Sequence, residues 1–144
     1  MKRLKKISIA TFALSLMLTL LIPTAFAATQ GYVSYLSKSS NSELQGSTRS
    51  YTYSNHKISL DITYKEWSGG NDCDISLWKT GFFGDTRKAL VAASMPNVGT
   101  KYTYVMGNFG SGNYYYYFDN SFPVGSGKST NAFVADPVNM VSYS

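Results

Sequence analysis

The sequence predicts an all-β fold, a single antiparallel β-sandwich of about seven or eight short strands with a jelly-roll-like character, on three observations. All twelve tyrosines follow residue 27, together with Trp67, Trp78 and six phenylalanines, and aromatic side chains suit a pleated, half-buried surface. Apolar and polar residues alternate with period two over several segments. Clusters of Gly, Asn, Ser and Asp punctuate those segments at the roughly 8–12-residue spacing typical of sandwiches and barrels. No segment patterns as a helix longer than two turns, and there is no internal repeat.

Taken in order, Tyr32 to Leu36 and Arg49 to Ser54 read as strands, separated by a polar Ser/Asn/Gly stretch. The clearest strand is Lys57 to Glu66. Ile58, Leu60, Ile62 and Tyr64 share one face, and Lys57, Ser59, Asp61, Thr63 and Lys65 share the other, the pattern of a strand with one face in the core. Ser68-Gly69-Gly70-Asn71 then turns the chain into Cys73 to Lys79, where Cys73, Ile75 and Leu77 point inward and Asp74, Ser76 and Trp78 outward. These two strands read as a hairpin. Thr86 to Ser94 is compatible with a short helix or a strand. Thr100 to Asn108 alternates, with Tyr102, Tyr104 and Met106 on one side, and Gly110-Ser111-Gly112 turns it into Asn113 to Asp119. A stretch from Asn120 to Asn131 leads to a last strand, Ala132 to Ser142. Pro137 inside it predicts an edge strand or a bulge, because proline cannot donate to the ladder.

Residues Met1 to Ala27 read as a cleavable secretory signal peptide. Lys2, Arg3, Lys5 and Lys6 form a positive start, Ile7 to Ile22 is an apolar run, Pro23 breaks it, and Ala25-Phe26-Ala27 offers small residues for cleavage. Residues 28–144 are then one exported β-sandwich domain, secreted or cell-wall associated. Cleavage would leave no stable membrane anchor. It also removes four of the thirteen basic residues, leaving nine against eight acidic ones. Nucleic-acid binding needs clustered positive charge, and that near balance argues against it. Export makes Cys73, the sole cysteine, either a buried small hydrophobe or a thiol paired between molecules. Its phase with Ile75 and Leu77 favours burial.

In the run Tyr114-Tyr115-Tyr116-Tyr117, strand geometry sends Tyr115 and Tyr117 to the face opposite Tyr114 and Tyr116. Outward Tyr115, Tyr117 and Trp78, with Trp67 at a strand end, are candidate binding residues, since flat rings with polar tips stack on sugars or pack on proteins. The competing role is simply to cover the sheet. Asp72 and Asp74 follow a double glycine, and alternating oxygen ligands of this kind can hold Ca²⁺. The spacing departs from an EF-hand loop, however, and solvated turn residues account for the same pattern. His56, the sole histidine, has no cluster for zinc and no Gly-x-Ser-x-Gly partner, and its position at a strand start suggests the surface. Asp61 and Glu66 share no face, so paired carboxylates for glycoside hydrolysis are missing. Gly107-Asn108-Phe109-Gly110-Ser111-Gly112 lacks the Lys-Ser/Thr of a phosphate loop.

The order Asp-x-Asp-Ile-Ser-Leu-Trp-Lys at residues 72–79, followed by Gly-Ser-Gly-Asn-Tyr-Tyr-Tyr-Tyr-Phe at residues 110–118, resembles bacterial pre-peptidase C-terminal-type β-sandwich domains over roughly Lys57 to Phe118. The resemblance implies a fold and calcium at Asp72 and Asp74. It implies no activity, and this chain lacks the larger enzyme to which such domains are appended. The function that fits these features is a small secreted bacterial non-catalytic module binding a glycan or cell-envelope polymer through Trp67, Trp78, Tyr115 and Tyr117. The alternative is a secreted protein-interaction factor, such as a bacteriocin-like protein, an inhibitor or a matrix component. An enzyme ranks third, and no cofactor is required beyond the Ca²⁺ option.

Overall fold

A computed structural model of the chain describes residues 28–38, 43–66, 73–94, 97–119 and 132–144. The predicted signal segment 1–27, Trp67, Asp72 and the predicted turn 68–71 lie outside them, as does the stretch 120–131. Nine strands are present among the described residues: β1 (Thr29–Lys38), β2 (Glu43–Gln45), β3 (Arg49–Tyr51), β4 (Asn55–Glu66), β5 (Cys73–Lys79), β6 (Thr86–Ala93), β7 (Lys101–Asn108), β8 (Gly112–Asp119) and β9 (Ala132–Tyr143). No helix among these residues is long and apolar enough to cross a membrane.

The strands form two antiparallel sheets, as the alternation predicts. One has the order β1-β9-β4-β7; the other has the order β2-β8-β5-β6, with β3 also pairing with β8. Their facing sides make one core. Ile58, Leu60 and Ile62 of β4 and Phe133, Ala135, Val138 and Met140 of β9 meet Ile75 and Leu77 of β5 and Tyr114, Tyr116 and Phe118 of β8. Each large apolar side chain buried this way contributes about 1.5–3 kcal/mol, and period-two spacing is what delivers them all to one side.

Several expectations change. The segment 86–94 is a strand: β6 pairs with β5 from Thr86 to Ala93, and its outward positions are solvated while Ala93 is buried. The predicted hairpin between Lys57–Glu66 and Cys73–Lys79 does not form, because β4 and β5 lie in different sheets. Both strands bury alternate residues in the same core, so periodicity alone does not reveal that the connection crosses between layers. Pro137 is not on an edge strand. β9 lies between β1 and β4, and the bulge expected of proline is present, with register shifts on both neighbours around a cis Asp136–Pro137 bond. Shifts between Leu60 and Ile62 and between Ile62 and Tyr64 also put Tyr64 outside the core, at 50% exposure. The polar stretch before Arg49 contains an additional strand, β2, which raises the count to nine.

Three buried polar groups refine the core. His56 is fully buried rather than on the surface; its Nε2 lies 3.0 Å from the Gly110 carbonyl, its ring packs 4.5 Å from that of Tyr114, and burial holds its pKa below the usual value. Lys38 is also buried, with Nζ donating to the Phe118 carbonyl at 2.9 Å. Cys73 is a free, fully buried thiol, and desolvation pushes its pKa up to about 12.

Candidate functional site

The turn that starts β8 sets which tyrosines face outward. Gly110 and Gly112 take positive φ values of 79° and 143°, a region side chains other than glycine avoid. A Cβ on Gly112 would also sit 3.0 Å from Cε of Lys79. From there the tyrosine run alternates: Tyr114 and Tyr116 enter the core, while Tyr115 and Tyr117 face the outer side of the five-stranded sheet.

The register of that sheet collects outward side chains into three cross-strand rows. In the first, Tyr115 lies opposite Trp78, and Trp78 opposite Arg87. In the second, Tyr117 lies between Gln45 and Ser76, with Leu90 beyond. In the third, Asp119 lies between Glu43 and Asp74. These rows floor a groove of about 350 Å³. One end is aromatic, the other acidic. Of the four aromatic residues proposed from the sequence, Trp78, Tyr115 and Tyr117 come together here, but Tyr115 is nearly covered at 7% exposure rather than an open ring, and Trp67 lies outside the described residues.

Each aromatic polar edge is tied down. Trp78 and Tyr115 stack with ring planes 4° apart and centroids at 6.3 Å. The indole N–H of Trp78 donates to Ser76 Oγ at 2.8 Å. Tyr117 donates its hydroxyl proton to the Glu43 carboxylate, and chiefly this bond pushes its pKa up to about 12. Tyr115 is raised first by burial and then by its hydrogen bond to Asp85. Rings held in place in this way lose little conformational freedom when a ligand arrives.

The chemistry on offer is an apolar shelf beside hydrogen-bond acceptors. Aromatic faces suit the C–H-rich face of a ring, Glu43, Asp74 and Asp119 accept hydrogen bonds from hydroxyls, and Arg87 donates. Asp74, a proposed calcium ligand, takes its place in the acidic row, and its proposed partner Asp72 lies outside the described residues. Among the described residues no three His, Cys, Asp or Glu side chains converge as a metal-ligand set. The sequence reading missed Asp119, although its phase with Tyr115 and Tyr117 would have found it. Glu43, Gln45, Arg87 and Leu90 come from strands distant in sequence, and only the pairing brings them in.

No family model matches the chain, and no curated protein does. Among solved structures, a chain of "Structure of infectious bursal disease virus Gx strain" is similar over 82% of this chain and 36% of that one, with 12% identity and a TM-score of 0.38. At that identity and score the likeness carries no argument about this protein. Its outer groove is a potential binding surface on its own geometry.

Proposed function

We propose that this protein is an exported, non-catalytic binding module whose outer groove takes a glycan or a glycan-containing polymer of the bacterial envelope. One observation carries the reading: Trp78, Tyr115 and Tyr117, their rings held by hydrogen bonds, share one groove with Glu43, Asp74 and Asp119. A sugar presents both an apolar ring face and a rim of hydroxyls. A shelf of aromatic rings edged by carboxylates matches both at once. The reading as an exported protein rests on the lysine-rich start, apolar run and Ala-x-Ala site of residues 1–27.

Retention on insoluble cell wall and on a panel of insoluble polysaccharides tests it, with Trp78→Ala compared against the unchanged protein. We expect retention on at least one matrix and a loss of about tenfold or more in the variant, the scale of one large stacked ring. Equal retention of the two proteins would remove the groove from the account.

A further inference from the structure

The turn joining β5 to β6 carries two phenylalanines that the fold does not use. Phe82 and Phe83 are 95% and 99% exposed. Their rings touch only each other edge-on, with centroids at 5.0 Å and planes 88° apart. Turn centres ordinarily carry Gly, Asn, Asp, Ser or Pro, so two bare phenylalanines there need an explanation.

The backbone commits the chain to this display. Gly84 N–H donates to the Gly81 carbonyl at 3.2 Å, closing a four-residue turn with the phenylalanines at its centre. Gly84 has φ +120°, and a Cβ on Gly81 would lie 2.7 Å from the Gly84 oxygen. Both glycines are required, and together they hold the rings at a narrow convex apex.

Charge is segregated toward the same end of the sandwich. The ends of the two sheets coincide, since His56 near the start of β4 packs on Tyr114 near the start of β8, and Lys38 at the end of β1 reaches Phe118 near the end of β8. Arg49, Lys57, Lys79, Arg87 and Lys88 lie in the half that carries the turn, with Asp85 as the one acidic residue there among those described. That carboxylate accepts a hydrogen bond from Tyr115. Glu43, Asp61, Glu66, Asp74, Asp119 and Asp136 lie in the opposite half, where Lys38, Lys65 and Lys101 offset only part of their charge.

We infer that the Phe82–Phe83 apex is a membrane wedge, seating the basic end of the sandwich on a bilayer that contains anionic lipid. An apolar tip in a cationic setting matches the two layers of such a surface in order: acyl chains for the rings, phosphate headgroups for Lys79, Arg87 and Lys88. Area argues against a folded protein partner. Two phenylalanine side chains offer on the order of 300–500 Å², well short of the roughly 800 Å² each side contributes to a standard interface. The surface around an apex falls away and adds little.

The test uses protein from the full 144-residue sequence, unchanged and as Phe82→Ser/Phe83→Ser, sedimented with vesicles of phosphatidylglycerol and phosphatidylcholine in equal parts and with vesicles of phosphatidylcholine alone. Any contribution of residues 1–27 is common to both proteins, so the difference between them reports the apex. We expect the double variant to bind the anionic vesicles at least about tenfold more weakly. Its thermal midpoint should not change, since both rings lie outside the core. Binding by the unchanged protein should fall with added salt and be weaker on phosphatidylcholine alone. A Phe83→Trp variant should show a blue-shifted emission quenched by brominated acyl chains. Equal vesicle binding by the two proteins, binding indifferent to lipid charge, or no binding to either vesicle would each overturn the proposal. So would a double variant that loses polysaccharide retention with vesicle binding intact, because that assigns the rings to a polymer. Polysaccharide retention that survives in the double variant keeps the groove and the apex separate.

Discussion

Tyr116 and Tyr117 are the same residue at adjacent positions of one strand, and they have opposite fates. Tyr116 is 1% exposed in the centre of the core, and its hydroxyl has no hydrogen-bond partner among the described residues. Burial lifts its pKa well above that of a free tyrosine. Tyr117 lies on the outer groove with its hydroxyl on Glu43. The inner face of β8 supplies ring volume and tolerates an unsatisfied hydroxyl to do so. The outer face supplies ring surface and fixes each polar edge. A single strand therefore divides core from outer surface by parity, and a composition rich in tyrosine says nothing about which side each copy takes.

Truncation on each face separates the two tyrosines most strongly. Tyr116→Ala should cost about 3–5 kcal/mol, as large-to-small changes of buried aromatics do. Tyr117→Ala should cost no more than about 1 kcal/mol, the scale of one exposed hydrogen bond. Urea unfolding of both variants measures the difference, and similar costs would mean the two faces are not distinct in this way.

A smaller effect comes from the polar residue built into the inner cluster. Burial lowers the pKa of His56, while the unfolded chain titrates near the ordinary value of about 6.5. Between those two values the unfolded state binds more protons. Stability is therefore fully present above about pH 6.5 and declines as pH falls toward the folded value. Thermal midpoints from pH 7.5 to 5 should show that decline, with a shallower slope in His56→Gln. A slope identical in the variant would assign the acid sensitivity elsewhere.

The smallest expected signal is at Cys73. A fully buried thiol with its pKa near 12 should resist an aromatic disulfide reagent at pH 8 and react promptly once unfolded. Rapid labelling of the native protein would contradict its place in the core.

Periodicity made much of this legible. The alternation around Ile58, Leu60 and Ile62, around Cys73, Ile75 and Leu77, and along the tyrosine run assigns inner and outer faces correctly wherever the strand is regular. It fails at bulges: the register shifts flanking Ile62 free Tyr64 from the core, and although Pro137 marks the bulge on β9, nothing within β4 itself marks where its alternation breaks. It also fails at long range. Nothing in Glu66 to Cys73 distinguishes a hairpin from a crossing between sheets, and nothing in the polar segment around Glu43 announces a strand that pairs with β8. The burial of His56 is equally hidden, because it depends on Tyr51, Tyr114 and the Gly110 carbonyl, contributed from elsewhere in the chain. The aromatic half of the groove, with Asp74 and Asp119, could thus be read from strand phase, whereas Glu43, Gln45, Arg87 and Leu90 arrive only through the pairing.

The outer face of the five-stranded sheet is the proposed binding face. Its most direct test is amide chemical-shift mapping, with soluble oligosaccharides from whichever polymer retains the protein. We predict shifts concentrated on Asp74, Ser76, Trp78, Tyr115, Tyr117 and Asp119, with Glu43 and Gln45 beside them. Shifts confined to the four-stranded sheet, or saturating binding that leaves these residues unmoved, would contradict it.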